Sequence, residues 1–237
     1  MKRLFLILFI LGNISLIVAQ DTWESIIKDK GYSYQKSDFA KVGVYTPTEA
    51  KRWLDAGIHD VRDISEYKKI GIKTLKEYKP YSKLGYSVSG LIIGAVSHAR
   101  ILKSLKIKPN TLIISMSKSN IGFKSKKDFL SMYKFLKRNK CKTIEPNFFN
   151  YADEYDNKGK CYLFAAEMYQ RLDRTHGLAI NKIGRSYGNI FYAVFDKSWR
   201  DGEGKVGYIK GLGNYKYQTS GGSMKNVSKG KILKFGF

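Results

Sequence analysis

The chain has 237 residues, with 43 Lys and Arg against 20 Asp and Glu, a formal net charge of +23. Such a field repels cations and favours polyanions: nucleic acid, anionic lipid headgroups, lipopolysaccharide phosphates or acidic polysaccharide. Heavy use of Lys, Ile, Tyr and Asn throughout accounts for part of it, and after the first nineteen residues no segment is apolar for long enough to span a bilayer as a helix.

Residues 1–19 read as a secretory signal peptide. Met1-Lys2-Arg3 is positive, residues 4–18 are apolar apart from Gly12, Asn13 and Ser15, and Ala19 is small enough for a peptidase before Asp21 opens a polar stretch. The alternative is an uncleaved anchor, because Ile17 is bulky upstream of the cut. The absence of a nearby Cys argues against a lipoprotein. The expected place is therefore periplasmic or secreted. Cleavage leaves about 218 residues with net charge +21, enough for one large or two small domains.

Residues 20–142 read as a helical repeat region, clearest over 36–88. Gly43, Gly57, Gly71 and Gly85 are each fourteen residues apart. Four positions earlier stand Phe39, Trp53, Tyr67 and Tyr81; immediately before come Val42, Ala56, Ile70 and Leu84, and immediately after, Val44, Ile58, Ile72 and Tyr86. Ala50, Trp53 and Ala56 share one helical face after Thr46, a cap, and Pro47. Gly57 sits where a helix ends left-handed, and Ile58 folds back on the apolar face. Each unit is then a helix of about two turns, too short to persist alone, so the units must stack as an array. An envelope protein could bind such an array.

Residues 89–142 carry 13 basic side chains and one acid, Asp128. Ala99, Leu102, Leu105 and Ile107 resemble a fainter copy with Lys106 in the glycine slot; Tyr133, Leu136, Asn139 and Cys141 resemble another with Lys140 there. An ordinary amphipathic helix fits each place equally well. Residues 125–139 predict a helix with an apolar stripe of Phe129, Met132, Tyr133 and Leu136. Lys124, Lys126, Lys127, Lys134, Lys137 and Arg138 are candidate polyanion contacts, or else a solvated basic face. Cys141 and Cys161, an even pair in an exported chain, predict one disulfide.

Residues 143–237 predict a small β-barrel. Segments 159–171, 178–183, 189–196, 205–211, 214–220 and 225–235 are rich in Tyr, Phe, Ile and Val between glycine-containing breaks. Ser220-Gly221-Gly222-Ser223 predicts a hairpin turn. Lys158-Gly159-Lys160-Cys161-Tyr162, then Gly177-Leu178, then Tyr208-Ile209-Lys210-Gly211 resemble small bacterial OB-like modules. The OB helix before the fourth strand has no counterpart in the short 196–204. The chain as a whole resembles exported bacterial proteins that join short helical repeats to such a module, a resemblance that implies no activity. The fold class expected is α+β: a short-helix repeat array followed by an antiparallel, OB-like barrel. Lys210, Tyr215, Lys216 and Tyr217 are candidates for a face holding a strand or a sugar, or cross-strand pairs packing the sheet.

No motif assigns catalysis, a metal or a cofactor. His59, His98 and His176 lack metal spacing and read as surface or capping residues. Ser220-Gly221-Gly222-Ser223 is not a Gly-x-Ser-x-Gly elbow, and Gly211-Leu212-Gly213 lacks the third glycine of a dinucleotide fingerprint. Residues 153–159 resemble a calcium loop with its glycine misplaced. The function expected is therefore non-catalytic binding of an anionic polymer or surface. The alternatives are a nuclease or glycosidase whose carboxylates, Glu167 and Asp173 for example, meet only in the fold, or an interaction scaffold.

Overall fold

The structure, a computed structural model, describes residues 22–29, 34–58, 60–89, 91–145, 158–181, 190–196 and 199–235. The expected leader, His59 and most of the calcium-like loop lie outside the described residues. The chain divides into two compact units, up to Ser82 and from Lys83 onward.

The first unit is helical: α1 (Trp23–Asp29), α2 (Lys36–Lys41), α3 (Pro47–Asp55), α4 (Val61–Lys69) and α5 (Leu75–Tyr78), which tightens into a 3-10 turn at Lys79–Tyr81. Short polar side chains start these helices. Thr46 Oγ1 accepts from the Glu49 N–H, Asp60 from the Arg62 N–H, and Thr74 pairs with Glu77 in a reciprocal box. Glycines stop them: Gly43, Gly57 and Gly71 all have positive φ, and the N–H groups of Val44, Ile58 and Ile72 return to the carbonyls of Phe39, Trp53 and Tyr67. That return turns Val44, Ile58 and Ile72 inward beside Phe39, Trp53 and Tyr67, and all six are buried. Trp53 and Tyr67 both pack on Tyr78, with ring centres 5.9 and 5.0 Å apart. Lys68 of α4 donates to the carbonyls of Val42 and Gly43, closing the end of α2 where its carbonyls lack partners.

The second unit opens with a two-stranded hairpin, β1 (Tyr86–Val88) and β2 (Leu91–Ile93), then α6 (Ala95–Ser104), α7 (Thr111–Lys118) and α8 (Lys126–Arg138). The hairpin corrects the expectation of an all-helical region over 20–142. Three helix ends again turn left-handed, here at non-glycine residues: Lys106, Asn120 and Lys140 have φ of 55, 52 and 54°. Ile107, Ile121 and Cys141 fold back to the carbonyls of Leu102, Met116 and Leu136. The Asn120 stop lies fourteen residues after Lys106 and has no counterpart in the sequence reading. Inside these helices His98 and Ser117 are buried. Ser117 Oγ accepts the Gly85 N–H and lies 2.7 Å from His98 Nδ1, while the His98 ring stacks on Phe123 at 4.0 Å. His98 is therefore a core residue, not a surface one.

The remaining strands are β3 (Ile144–Glu145), β4 (Cys161–Arg171), β5 (His176–Asn181), β6 (Ile190–Val194), β7 (Gly204–Gln218) and β8 (Met224–Phe235). They form one mixed sheet ordered β3-β4-β5-β6-β8-β7, and β4 also pairs with β7, so the pairings of β4 to β8 run in a closed circuit. The sheet is mixed, which corrects the expected antiparallel one: β6 runs parallel to β8, and β3 parallel to β4. The segments 205–211 and 214–220 join as the single strand β7, with the glycine break appearing as a register shift between Gly211 and Gly213. Alternation sends Tyr162, Phe164, Ala166, Met168, Phe191, Ala193 and Ile209 to one buried cluster. Trp199, fully buried, packs there against Phe164 and Phe195 and donates its indole N–H to the Glu203 carbonyl. No helix stands between β6 and β7 among the described residues.

Helices α7 and α8 belong with the sheet, which places the division at Ser82–Lys83 rather than at 142–143. Ser115 Oγ accepts the Ile144 N–H, Phe135 lies 5.5 Å from Tyr208 between ring centres, and Lys210 Nζ donates to the Asn139 carbonyl at the end of α8. The Cys141–Cys161 disulfide joins the residue after the α8 stop to the first residue of β4, with Cα atoms 5.5 Å apart.

Candidate functional site

The outer face of β5, β6, β8 and β7 carries a second, shallower cluster. Leu178, Tyr192 and Val227 form it, with Ile190, Val194, Tyr215 and Tyr217 packed against it half-buried. Period-two alternation produces it: on β6, Phe191 and Ala193 point to the core and Tyr192 points outward. The registers align Leu178, Tyr192 and Lys229 across β5, β6 and β8, and the pairs Tyr215↔Val227 and Tyr217↔Lys225 continue the same face two and four residues further along β8.

Tyr192 and Tyr215 stack with ring centres 3.8 Å apart and planes 26° apart. Lys229 Nζ stands 5.4 Å above the centre of the Tyr192 ring, a cation–π distance. Burial, and then the neighbouring Tyr215 and Asp173, raise the Tyr192 phenol above its ordinary range, so it stays a neutral donor. Beyond the stack a cleft of about 710 Å³ opens between the end of β4 and the β7–β8 hairpin. Tyr169, Leu172, Tyr217, Lys216, Lys225 and Met224 line it. Tyr169 and Leu172 are exposed there, though both are large and apolar in part. Among the described residues no ion pair involves Lys216, Lys225 or Lys229.

On β5, His176 lies 5.6 Å from Tyr192 between ring centres. Its Nδ1 is 2.9 Å from Asp173 Oδ2, which leaves Nε2 as the ring nitrogen without that bond. The Asp173 carboxyl is held down to about 2, chiefly by the Thr175 backbone N–H and next by the His176 hydrogen bond.

The residues expected from the sequence do not converge. Tyr215, Lys216 and Tyr217 lie together on the cleft. Lys210 does not join them: half-buried, it is bonded to Asn139. Lys124, Lys126, Lys127, Lys134, Lys137 and Arg138 are exposed on or just before α8. Helical spacing puts Lys127, Lys134 and Arg138 on one stripe and Lys126 and Lys137 on the next; Lys137 also stands 5.7 Å over the Tyr133 ring. Phe129 and Leu136 of the apolar stripe are buried, Met132 and Tyr133 half-buried. α8 and its end meet β7 at Tyr208 and Lys210, seven and five residues before Tyr215. At about 3.3 Å per residue that separates the helix contacts from the aromatic stack by roughly 16 to 23 Å along the strand. Tyr169, Tyr192, Lys225, Lys229 and the Asp173–His176 pair escaped the sequence reading. The alternation Ile190, Tyr192, Val194 was the available signal for Tyr192.

The first unit has a groove of about 560 Å³ between α2 and α4. Asp38, Lys41, Arg62, Glu66 and Lys69 rim it over Val42 and Val61, so it presents both signs of charge rather than an apolar channel. No group of three or more His, Cys, Asp or Glu with metal-ligand proximity occurs among the described residues, and no described helix is long and apolar enough to cross a membrane.

Compared with protein families, with curated proteins and with solved structures, the chain matches none.

Proposed function

We propose that the protein is an exported, non-catalytic envelope protein that binds an anionic polymer along the outer face of an OB-type barrel. The observation that carries the reading is the cluster of Lys229, Tyr192 and Tyr215 beside a cleft with Tyr217, Lys216 and Lys225. Flat aromatic faces beside lysines without described ion pairs are how an extended strand is held without sequence preference. The strand circuit supports the OB reading: in chain order the five strands of the ring pair first–second–third–fifth–fourth–first, with the third and fifth parallel, and the cleft lies at the β4 and β7–β8 ends that an OB fold uses. The separation of α8 from the stack favours a polymer over a small ligand, since only an extended chain reaches both. Export follows from the leader and is consistent with the disulfide. The stops at Gly43, Gly57 and Gly71 support a stacked repeat array in the first unit, whose mixed-charge groove suits a protein partner better than a polyanion.

The test is a salt series of binding to single-stranded DNA, lipopolysaccharide and an acidic polysaccharide, side by side. Replacing Lys216, Lys225 and Lys229 with Gln should flatten the slope of log K against log salt by about 0.7 per lysine for a single strand. Replacing Tyr217 with Ala should weaken binding about tenfold without changing that slope. Replacing Lys126, Lys127, Lys134, Lys137 and Arg138 with Gln should flatten the slope only for ligands long enough to reach α8. Binding that ignores both lysine sets, or no binding at low ionic strength, sinks the reading. The Asp173–His176 pair beside Tyr192 favours a hydrolase as the second reading: cleavage of a bound phosphodiester or glycoside that His176→Ala abolishes would establish it.

A further inference from the structure

We propose that the β1–β2 hairpin is a finger that inserts into the interfacial layer of an anionic lipid bilayer. Val88, Leu91, Ile92 and Ile93 are 46, 69, 67 and 40% exposed. Hairpin tips are normally polar, and contiguous exposed aliphatic residues mark an interaction site. Val88 pairs with Leu91 at the position nearest the turn, where Ser89 is left-handed with φ 48°.

The root of the hairpin is fixed. The Tyr86 ring stacks 6.1 Å from His98 of α6, and a Cβ added to Gly85 would lie 2.7 Å from Ile92 Cγ2 and 2.9 Å from the Ile93 carbonyl. Val88 and Leu91 at the tip have no such cover, and Ile92, though it sits beside Gly85, is still 67% exposed. Directly paired residues share a face, so Val88 and Leu91 project to one side and Ile92, opposite Ser87, to the other. A rigid protein surface could bury one side; a fluid apolar medium surrounds both. β1 and β2 form a sheet of their own, and a wedge of two short strands enters only the headgroup and upper acyl layer.

Charge selects the lipid. The segment 89–142 that follows β1 has 13 basic side chains and Asp128 as its one acid. A segment so charged disfavours association with a second copy of itself and is drawn to anionic headgroups. Insertion of aliphatic side chains with a polybasic neighbour gives the two signals that reversible membrane binding needs. The hairpin and the sheet cleft are separate surfaces, so the lipid and polymer readings fail independently.

The experiment is co-sedimentation of the chain from Gln20, which contains every described residue, with vesicles of phosphatidylglycerol and phosphatidylcholine or of phosphatidylcholine alone. The chain should sediment with the anionic vesicles at low salt and not with the neutral ones. Leu91→Ser with Ile92→Ser should weaken that binding about tenfold or more while leaving near-ultraviolet circular dichroism unchanged. In a Leu91→Trp variant, lipids brominated in the upper acyl chain should quench the introduced indole. Three results overturn the proposal: equal sedimentation of the serine variant, an indole that stays unquenched on bound protein, or a concentration-dependent dimer that the serine variant dissolves, which would assign the hairpin to a second copy.

Discussion

Gly57 and Gly85 occupy equivalent places in the fourteen-residue spacing and both have positive φ, 91 and 98°, yet different constraints hold them. Nothing lies within 4 Å of a Cβ placed on Gly57, so Gly57→Ala meets only the left-handed backbone cost, about 1–2 kcal/mol. On Gly85 the same Cβ would strike Ile92 and the Ile93 carbonyl at 2.7 and 2.9 Å, and the hairpin must move. Urea unfolding should therefore show Gly85→Ala costing at least about twice as much as Gly57→Ala; equal costs would mean that the hairpin yields freely. His98 predicts the pH response. Burial pushes its pKa down from 6.5 to about 4, against a weaker opposing hydrogen bond from Asn120. The folded state then holds it neutral where the unfolded chain binds a proton. Its contribution is complete above about pH 6.5 and is lost as pH falls towards 4, by about 3 kcal/mol at most. Comparing wild type with His98→Gln at pH 7 and 4.5 isolates this from the carboxylates: the wild type should lose more stability on acidification, and parallel losses would rule it out.

Among the elements, those governed by local chemistry were readable and those that rely on distant partners were not. Thr46 at the cap, Pro47 behind it and Gly57 at the stop define α3 with no tertiary help, and α8 falls within one residue of the predicted 125–139 at each end. The β1–β2 hairpin was hidden inside the fourteen-residue glycine spacing because a left-handed glycine ends a helix and enters a strand with the same backbone state. The helix α7 was hidden for the opposite reason: its stop is Asn120, not glycine, and its apolar run Leu112-Ile113-Ile114 suits strand and helix alike. On β7, Gly211 and Gly213 mark a register shift, and only the partner β8 shows that the strand continues through it. The same partner decides the site. Tyr215 and Tyr217 were visible as alternating aromatics, whereas Lys225 and Lys229 join them through the β8 register and Tyr192 through β6.

At the scale of the whole molecule, the boundary lies at Ser82–Lys83, and the disulfide lies wholly within the second unit, closing a sequence separation of 20 residues. Opening a loop of that size removes about 3 kcal/mol. Calorimetry of the reduced protein should show one transition moved to lower temperature and a second, from the helical unit before Ser82, unmoved; a shift of both together would mean that the units unfold as one. The sequence by itself determined the charge, the paired cysteines, the helix starts and stops of the first unit and the strand-rich texture of the last ninety residues, because caps, left-handed glycines and period-two alternation act over a few neighbouring residues. Only the tertiary structure decided which strands run parallel, that α6 to α8 belong with the sheet, that Lys210 is bonded to the end of α8, and that Tyr192, Tyr215 and Lys229 meet. Strand register and side-chain convergence depend on pairings between segments tens of residues apart, and the packing that selects one pairing over another is a property of the assembled core, not of any local run of residues.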